Sequence, residues 1–118
     1  MIYNFTKEKI IATNYKVCKN LFSQIRGEMF RKQIVPLVFE FNKEQKTGLH
    51  SWFVKEPFDV IFLNNSWEVV ELVHEFLPKT HYKPKEKAMY ILEMPAGTIA
   101  QADIDIGDVI HIKKQKNK

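Results

Sequence analysis

Five residues of this chain could together hold a small anionic ligand. Arg26 and Arg31 supply cations, His50 and Trp52 a wall with polar edges, and Asp59 a carboxylate able to orient a guanidinium. Asp59 is the sharpest of them. It alternates with Ile61 and Leu63 in the run from Phe58 to Leu63, so its side chain shares a face with apolar ones. A carboxylate in such a layer must be paired and hydrogen-bonded, or give up its charge. A guanidinium meets that need with a two-pronged fork, and Arg26 is the expected partner, with Arg31 close behind. A pair that locks a helix end onto a sheet is the plainer role; anchoring a ligand is the functional one. Glu93 shares a face with Met89 and Ile91. With Asp59 and His50 it could make an acid/base set for hydrolysis, although capping the Pro95-Ala96-Gly97 turn is the simpler use of it.

Other chemistry is thin. His50, His74 and His81 match no metal-ligand spacing, and the chain has one cysteine, Cys18, so neither a metal nor a cofactor is expected. No activated nucleophile, phosphate loop or dinucleotide fingerprint occurs. Gly97 and Gly107 read as turn glycines, and Asp108 as an acid that satisfies turn amides. Lys79, Lys83, Lys85 and Lys87 flank Tyr82 in a basic loop. With the terminal lysines that loop could contact phosphates and stack a base. A solvated surface is the preferred reading, so nucleic acid ranks below a small ligand as a partner.

These residues need elements to position them. The chain has 118 residues, 45% of them hydrophobic, and a net charge of +4. Lys113, Lys114, Lys116 and Lys118 account for that excess, so residues 1–112 are expected to be one globular domain and 113–118 a basic flexible tail. The run Lys9–Thr13 suits a strand. Val17, Leu21 and Ile25 recur every fourth residue, which predicts an amphipathic helix that Thr13 or Asn14 caps and Gly27 ends. Strand patterns follow at Val35–Phe41, His50–Val54, Phe58–Leu63, Trp67–Phe76, Ala88–Met94 and Val109–Ile112. Asn64-Asn65-Ser66 makes a turn, and Pro95 can open a short helix. The expected class is α+β and mainly β: a compact antiparallel sandwich or barrel-like domain of about six strands with one or two short helices. The start, Met1 to Thr6, lacks a basic and then apolar pattern, so no signal segment is expected, and no apolar run reaches membrane-spanning length. A cytoplasmic protein without a membrane partner is expected.

Three blocks carry a family resemblance. They are Arg26-Gly27-Glu28-Met29-Phe30-Arg31; Leu49-His50-Ser51-Trp52-Phe53-Val54 running on to Pro57-Phe58-Asp59-Val60-Ile61-Phe62-Leu63; and Tyr90-Ile91-Leu92-Glu93-Met94-Pro95-Ala96-Gly97 with Gly107-Asp108-Val109. In this order they resemble the domain of unknown function 192 family, also called the UPF0127 family. The resemblance implies a mostly β, sandwich- or barrel-like domain with no established activity. Lys55-Glu56 and Asn64-Asn65-Ser66 depart from the family's commoner loops. The expected function is binding of a small anionic ligand in a polar pocket near the helix end and the central strands. A hydrolase using Asp59, Glu93 and His50, or a nucleic-acid module using the basic loop and tail, is the alternative.

Overall fold

The run Phe58–Leu63 is buried at every position, which a strand can be only when both faces of its sheet are covered. That requirement organises the molecule. The structure is a computed structural model, and it describes residues 1–19, 27, 29 and 31–113. In chain order the strands are β1 (Ile2–Asn4), β2 (Lys9–Ala12), β3 (Lys16–Cys18), β4 (Leu37–Gln45), β5 (Leu49–His50), β6 (Phe58–Leu63), β7 (Val69–Phe76), β8 (His81–Tyr82), β9 (Ala88–Pro95) and β10 (Ile110–Ile112). A short helix, α1 (Thr98–Gln101), precedes β10.

Five strands form the central sheet in the order β3-β4-β9-β6-β7. Strand β9 lies in its middle, antiparallel to β4 and β6. The register aligns Val38, Leu92 and Ile61 on one face, and Leu37, Glu93 and Val60 on the other. The first face packs against α1 and the three-stranded sheet β10-β1-β2, burying Ile2, Ile99, Ile104 and Ile110 with it. The second buries Phe39, Phe58, Phe62 and Phe76, with Leu49 and Tyr82 of the two-stranded β5-β8 sheet packed against them. Phe58 and Phe76 meet edge to face at 5.4 Å. Each such ring stabilises the fold by roughly 1.5–3 kcal/mol through the surface it removes from water.

The domain is thus mainly β, of the α+β class, with several sheets and no closed barrel. Four particulars differ from expectation. Ten strands are described instead of about six: β1 and β8, of three and two residues, carry too little alternation to read, and of the expected strand His50–Val54 only His50 lies in a strand, β5. Lys16–Cys18 is a strand parallel to β4, not a helix turn. Val17 is exposed and Cys18 buried, the alternation of an edge strand; residues 20–26, the rest of the expected helix, lie outside the described residues. Pro95 does not open a helix. It still pairs with Phe58, and the chain turns at Gly97, which takes φ +92 ahead of α1. Finally, β10 joins β1 instead of the central sheet, with Ile2 opposite Ile112. Lys113, counted above with the tail, exchanges backbone hydrogen bonds with Met1, and residues 114–118 lie outside the described residues.

Candidate functional site

Asp59 is completely buried, and its partners are backbone amides. Strand β7 carries a bulge here: Phe58 faces Phe76 and Val60 faces Val73, so His74 and Glu75 together oppose Asp59. A bulge leaves an amide outside the ladder. The Glu75 N–H donates to Asp59 Oδ1 at 2.9 Å. The first turn of α1 also leaves amides unpaired, and the Ile99 N–H donates to Asp59 Oδ2 at 2.8 Å. Both carboxylate oxygens are therefore engaged by irregular backbone on two neighbouring elements. Arg26, the expected partner, lies outside the described residues. Arg31 donates its Nε–H to the Gly27 carbonyl at 3.2 Å, and no ion pair joins it to Asp59.

Beside this clamp, where β6 begins and β9 ends, a concave space of about 400 Å³ is lined by Gln33, Ile34, Glu56, Pro57, Pro95 and Ala96. The pairing of Phe58 with Pro95 fixes two of its walls. The Ile34 N–H donates to Glu56 Oε1 at 3.3 Å and ties the third. The lining is apolar from Pro57, Pro95 and Ile34, with Gln33 and Glu56 as polar groups. Among the described residues its lining holds no hydroxyl, thiol or imidazole. Half-buried Arg31 stands two residues before Gln33.

The other expected site residues lie elsewhere. Glu93 is buried on the opposite face of the sheet from Asp59, since Asp59 pairs with Met94 and Glu93 with the adjacent Val60. Its Oε1 points toward Gly27, 3.5 Å from where a Cβ there would sit. His50 is exposed in β5. The set Asp59, Glu93 and His50 is therefore dispersed, and the hydrolase alternative loses its constellation. Trp52, 44% exposed, donates its indole N–H to His81 Nε2 at 2.8 Å. Neither His50 nor Trp52 lines the cleft. Among the described residues no group of three or more His, Cys, Asp or Glu side chains could hold a metal ion.

Two further polar centres lie apart from the cleft: the first contains Asp108, which satisfies a turn amide as expected, and the second was not read from the sequence. Asp108 Oδ2 accepts the Asn4 Nδ2–H and the Asp105 N–H at 2.9 Å each, and the Lys7 ammonium at 3.2 Å. Lys7 also donates to Asp105 Oδ2 and to the Asp103 carbonyl, both at 2.7 Å. Gly107 supports this corner with φ +94. Burial alone would raise the Asp108 carboxyl, but its hydrogen bonds from Asn4, Asp105 and Lys7 outweigh that and hold it below the usual range. The bond to Asp105 chiefly, with Asp108 beside it, raises Lys7. The spacing of Asp103, Asp105 and Asp108 was a visible signal; that residues 4 and 7 complete the cluster was not.

The second centre is Glu71. Its Oε1 accepts the Lys85 and Glu86 N–H groups at 2.9 Å each, and its Oε2 accepts the Tyr82 hydroxyl. Desolvation first, and then the hydrogen bond to Glu71 and its charge, push Tyr82 up to about 12. The basic loop is thus fastened from below, while Lys79, Lys83, Lys85 and Lys87 stay exposed. Glu71→Ala should lower the Tyr82 pKa in an ultraviolet titration. It should also speed amide exchange at Lys85 and Glu86 by roughly tenfold, the equivalent of about one net hydrogen bond.

Comparison with known proteins gives a consistent picture. The DUF192 family model, described as "Uncharacterized ACR", matches residues 3–112. The UPF0127 protein of Pyrococcus furiosus is 37% identical over 107 residues, covering 89% of this chain and 91% of its own length. The UPF0127 protein of Thermococcus sibiricus is 36% identical over 113 residues, covering 93% and 73% respectively. A protein of unknown function from Novosphingobium aromaticivorans has a similar structure, with a TM-score of 0.77 at 20% identity over 83% of this chain and 74% of that one. The last is a likeness of fold.

Proposed function

The chain belongs to the DUF192 family of uncharacterised proteins, and from its own geometry we propose that it is a small-ligand-binding domain whose ligand occupies the cleft between Ile34, Pro57 and Pro95. The observation that carries this reading is the cleft itself: about 400 Å³, with Ile34, Pro57 and Pro95 as apolar walls and Gln33 and Glu56 as polar groups, the mixture that small-molecule sites use. Next to it the Asp59 carboxylate ties β6 to the β7 bulge and to the start of α1. Glu56 and Gln33 suit a ligand that carries hydroxyl or amine donors. Arg31, two positions before Gln33 in the chain, suits an acid group. The ligand class is therefore a small amino acid or hydroxy acid. A cytoplasmic setting fits a chain whose single cysteine can form no internal disulfide.

Calorimetric titration with a panel of amino acids and small hydroxy acids tests this, together with native mass spectrometry of the purified protein. At least one compound should bind saturably. Arg31→Ala should weaken that binding about 10-fold or more, the worth of a charge-assisted hydrogen bond, and Glu56→Gln by a few-fold. A panel without saturable binding, or an Arg31→Ala protein that binds as well as its parent, would rule the reading out.

A further inference from the structure

Trp52 and His81 meet on the surface beside the β5-β8 pair, and the chemistry of the two rings makes the contact depend on one proton. The indole N–H of Trp52 donates to His81 Nε2 at 2.8 Å, with ring centroids 5.9 Å apart and planes at 75°. An indole nitrogen can only donate, and an imidazole nitrogen accepts only while it carries no proton. His81 is therefore neutral in this arrangement, with its ring proton on Nδ1. A second proton would set N–H against N–H. The edge that Trp52 offers is the positive part of an aromatic quadrupole, whereas a cation is attracted to the face. Protonation thus turns an attractive contact into a repulsive one, and histidine is the residue type that changes charge between about pH 5 and 8.

The backbone around the pair is held independently of it. The turn that carries Trp52 and Phe53 follows Ser51, which is fully buried. The Ser51 hydroxyl donates to the Leu77 carbonyl at 2.5 Å and accepts the Thr80 N–H at 2.9 Å. Its own N–H donates to the Thr80 carbonyl at 3.0 Å, and its carbonyl accepts the Val54 and Lys79 N–H groups. Leu49 and Tyr82 pack inward against the phenylalanine cluster, so their neighbours His50 and His81, directly opposite each other across β5 and β8, face outward. The charged and titratable groups around His81 are His50, exposed Lys46 before β5, exposed Lys55 after the turn, and exposed Lys79, Lys83, Lys85 and Lys87 in the segment of β8. The exposed acids of these segments are Glu56 and Glu86, and Glu71 is turned inward on Tyr82 and the loop amides. Among the described residues no carboxylate forms an ion pair with His81, so none stands ready to replace the lost hydrogen bond.

We infer that Trp52 and His81 form a pH-sensitive latch. While His81 is neutral, the indole is fastened to β8. When the imidazole takes its second proton, the indole swings free, and the Ser51 bonds keep the backbone of the turn in place. Trp52 is already 44% exposed, so little buried surface opposes its release. The device moves one large ring without unfolding the strands that carry it.

The test is NMR of the isotope-labelled full chain, titrated from about pH 8 to about pH 5, with Trp52→Phe used to identify the Trp52 indole resonance. At the alkaline end His81 should carry its proton on Nδ1, and the Trp52 N–H should lie downfield, as a bonded indole does. As His81 gains its charge, the Trp52 N–H should move upfield in step with the imidazole signals, and the cross-peaks between the two rings should be lost. The Ser51 and Thr80 amides should keep their protection from exchange throughout. His81→Gln supplies an acceptor oxygen that does not titrate, so its Trp52 resonance should stay downfield at every pH. His81→Leu, with no acceptor, should hold it upfield at every pH. The inference is overturned if neutral His81 carries its proton on Nε2, or if the Trp52 N–H stays in place while His81 titrates. It is equally overturned if the ring cross-peaks persist at the acid end, if the Ser51 and Thr80 amides lose protection there, or if the parent's shift survives in His81→Gln.

Discussion

Asp59→Ala is expected to cost about 3–4 kcal/mol of folding stability, read from urea unfolding. The estimate follows from what the carboxylate does. Removing it strands two amides, Glu75 N–H and Ile99 N–H, that have no ladder or helix partner and whose acceptor is itself completely buried. Each orphaned donor costs about 1–3 kcal/mol, and hydrogen bonds to a charged acceptor lie at the upper end. Asp59→Asn should lose less, because one amide oxygen can still accept one of the two bonds while the NH2 group faces the other donor. Amide exchange at Glu75 and Ile99 should rise in both variants. A change below about 1 kcal/mol in Asp59→Ala would mean that the bulge and the helix start are held by other contacts.

Asp108→Ala is expected to cost about 2–3 kcal/mol near neutral pH, because it leaves the buried Asn4 amide and the Asp105 N–H without their acceptor and releases Lys7. This cost should depend on pH, with a sign fixed by the direction of the shift. The folded carboxyl titrates below its unfolded value, so the folded state binds fewer protons there. Its stabilisation is fully present above the unfolded value of about 3.9 and is lost as pH falls through the folded one. Parent and Asp108→Asn proteins should therefore begin to draw together in stability as pH falls past about 4 and converge below the folded value. Lys7 acts in the other direction. Its raised value means that its contribution is present below the ordinary lysine range and is lost at more alkaline pH. Curves that stay parallel through the acid range would remove Asp108 from the account of acid stability.

Much of the framework was legible because β4, β6 and β9 are long enough to show their pattern. The continuous apolar run Phe58–Leu63 required two covered faces, and the structure supplies them. The exception inside that run, Asp59, rightly required a partner. The partner's identity was hidden because backbone amides carry no sequence signature, and a bulge in β7 depends on register. The Lys7 and Glu71 centres were hidden for a related reason: their members come from segments far apart in the chain, which only the topology brings together. The basic loop was visible as four lysines, but not the buried serine that places two aromatic rings beside it.

The pairing of Ile2 with Ile112 has a consequence for how the protein is made. Strand β1 leaves the ribosome ahead of β10, the strand that completes its sheet, which is synthesised more than a hundred residues later. At about 5–20 residues per second, β1 and β2 wait several seconds with one side of β1 unmet. Loop closure over so long a span is entropically costly and slows folding. The three-stranded cover should therefore seat only after the central sheet has formed, as the step that seals the molecule.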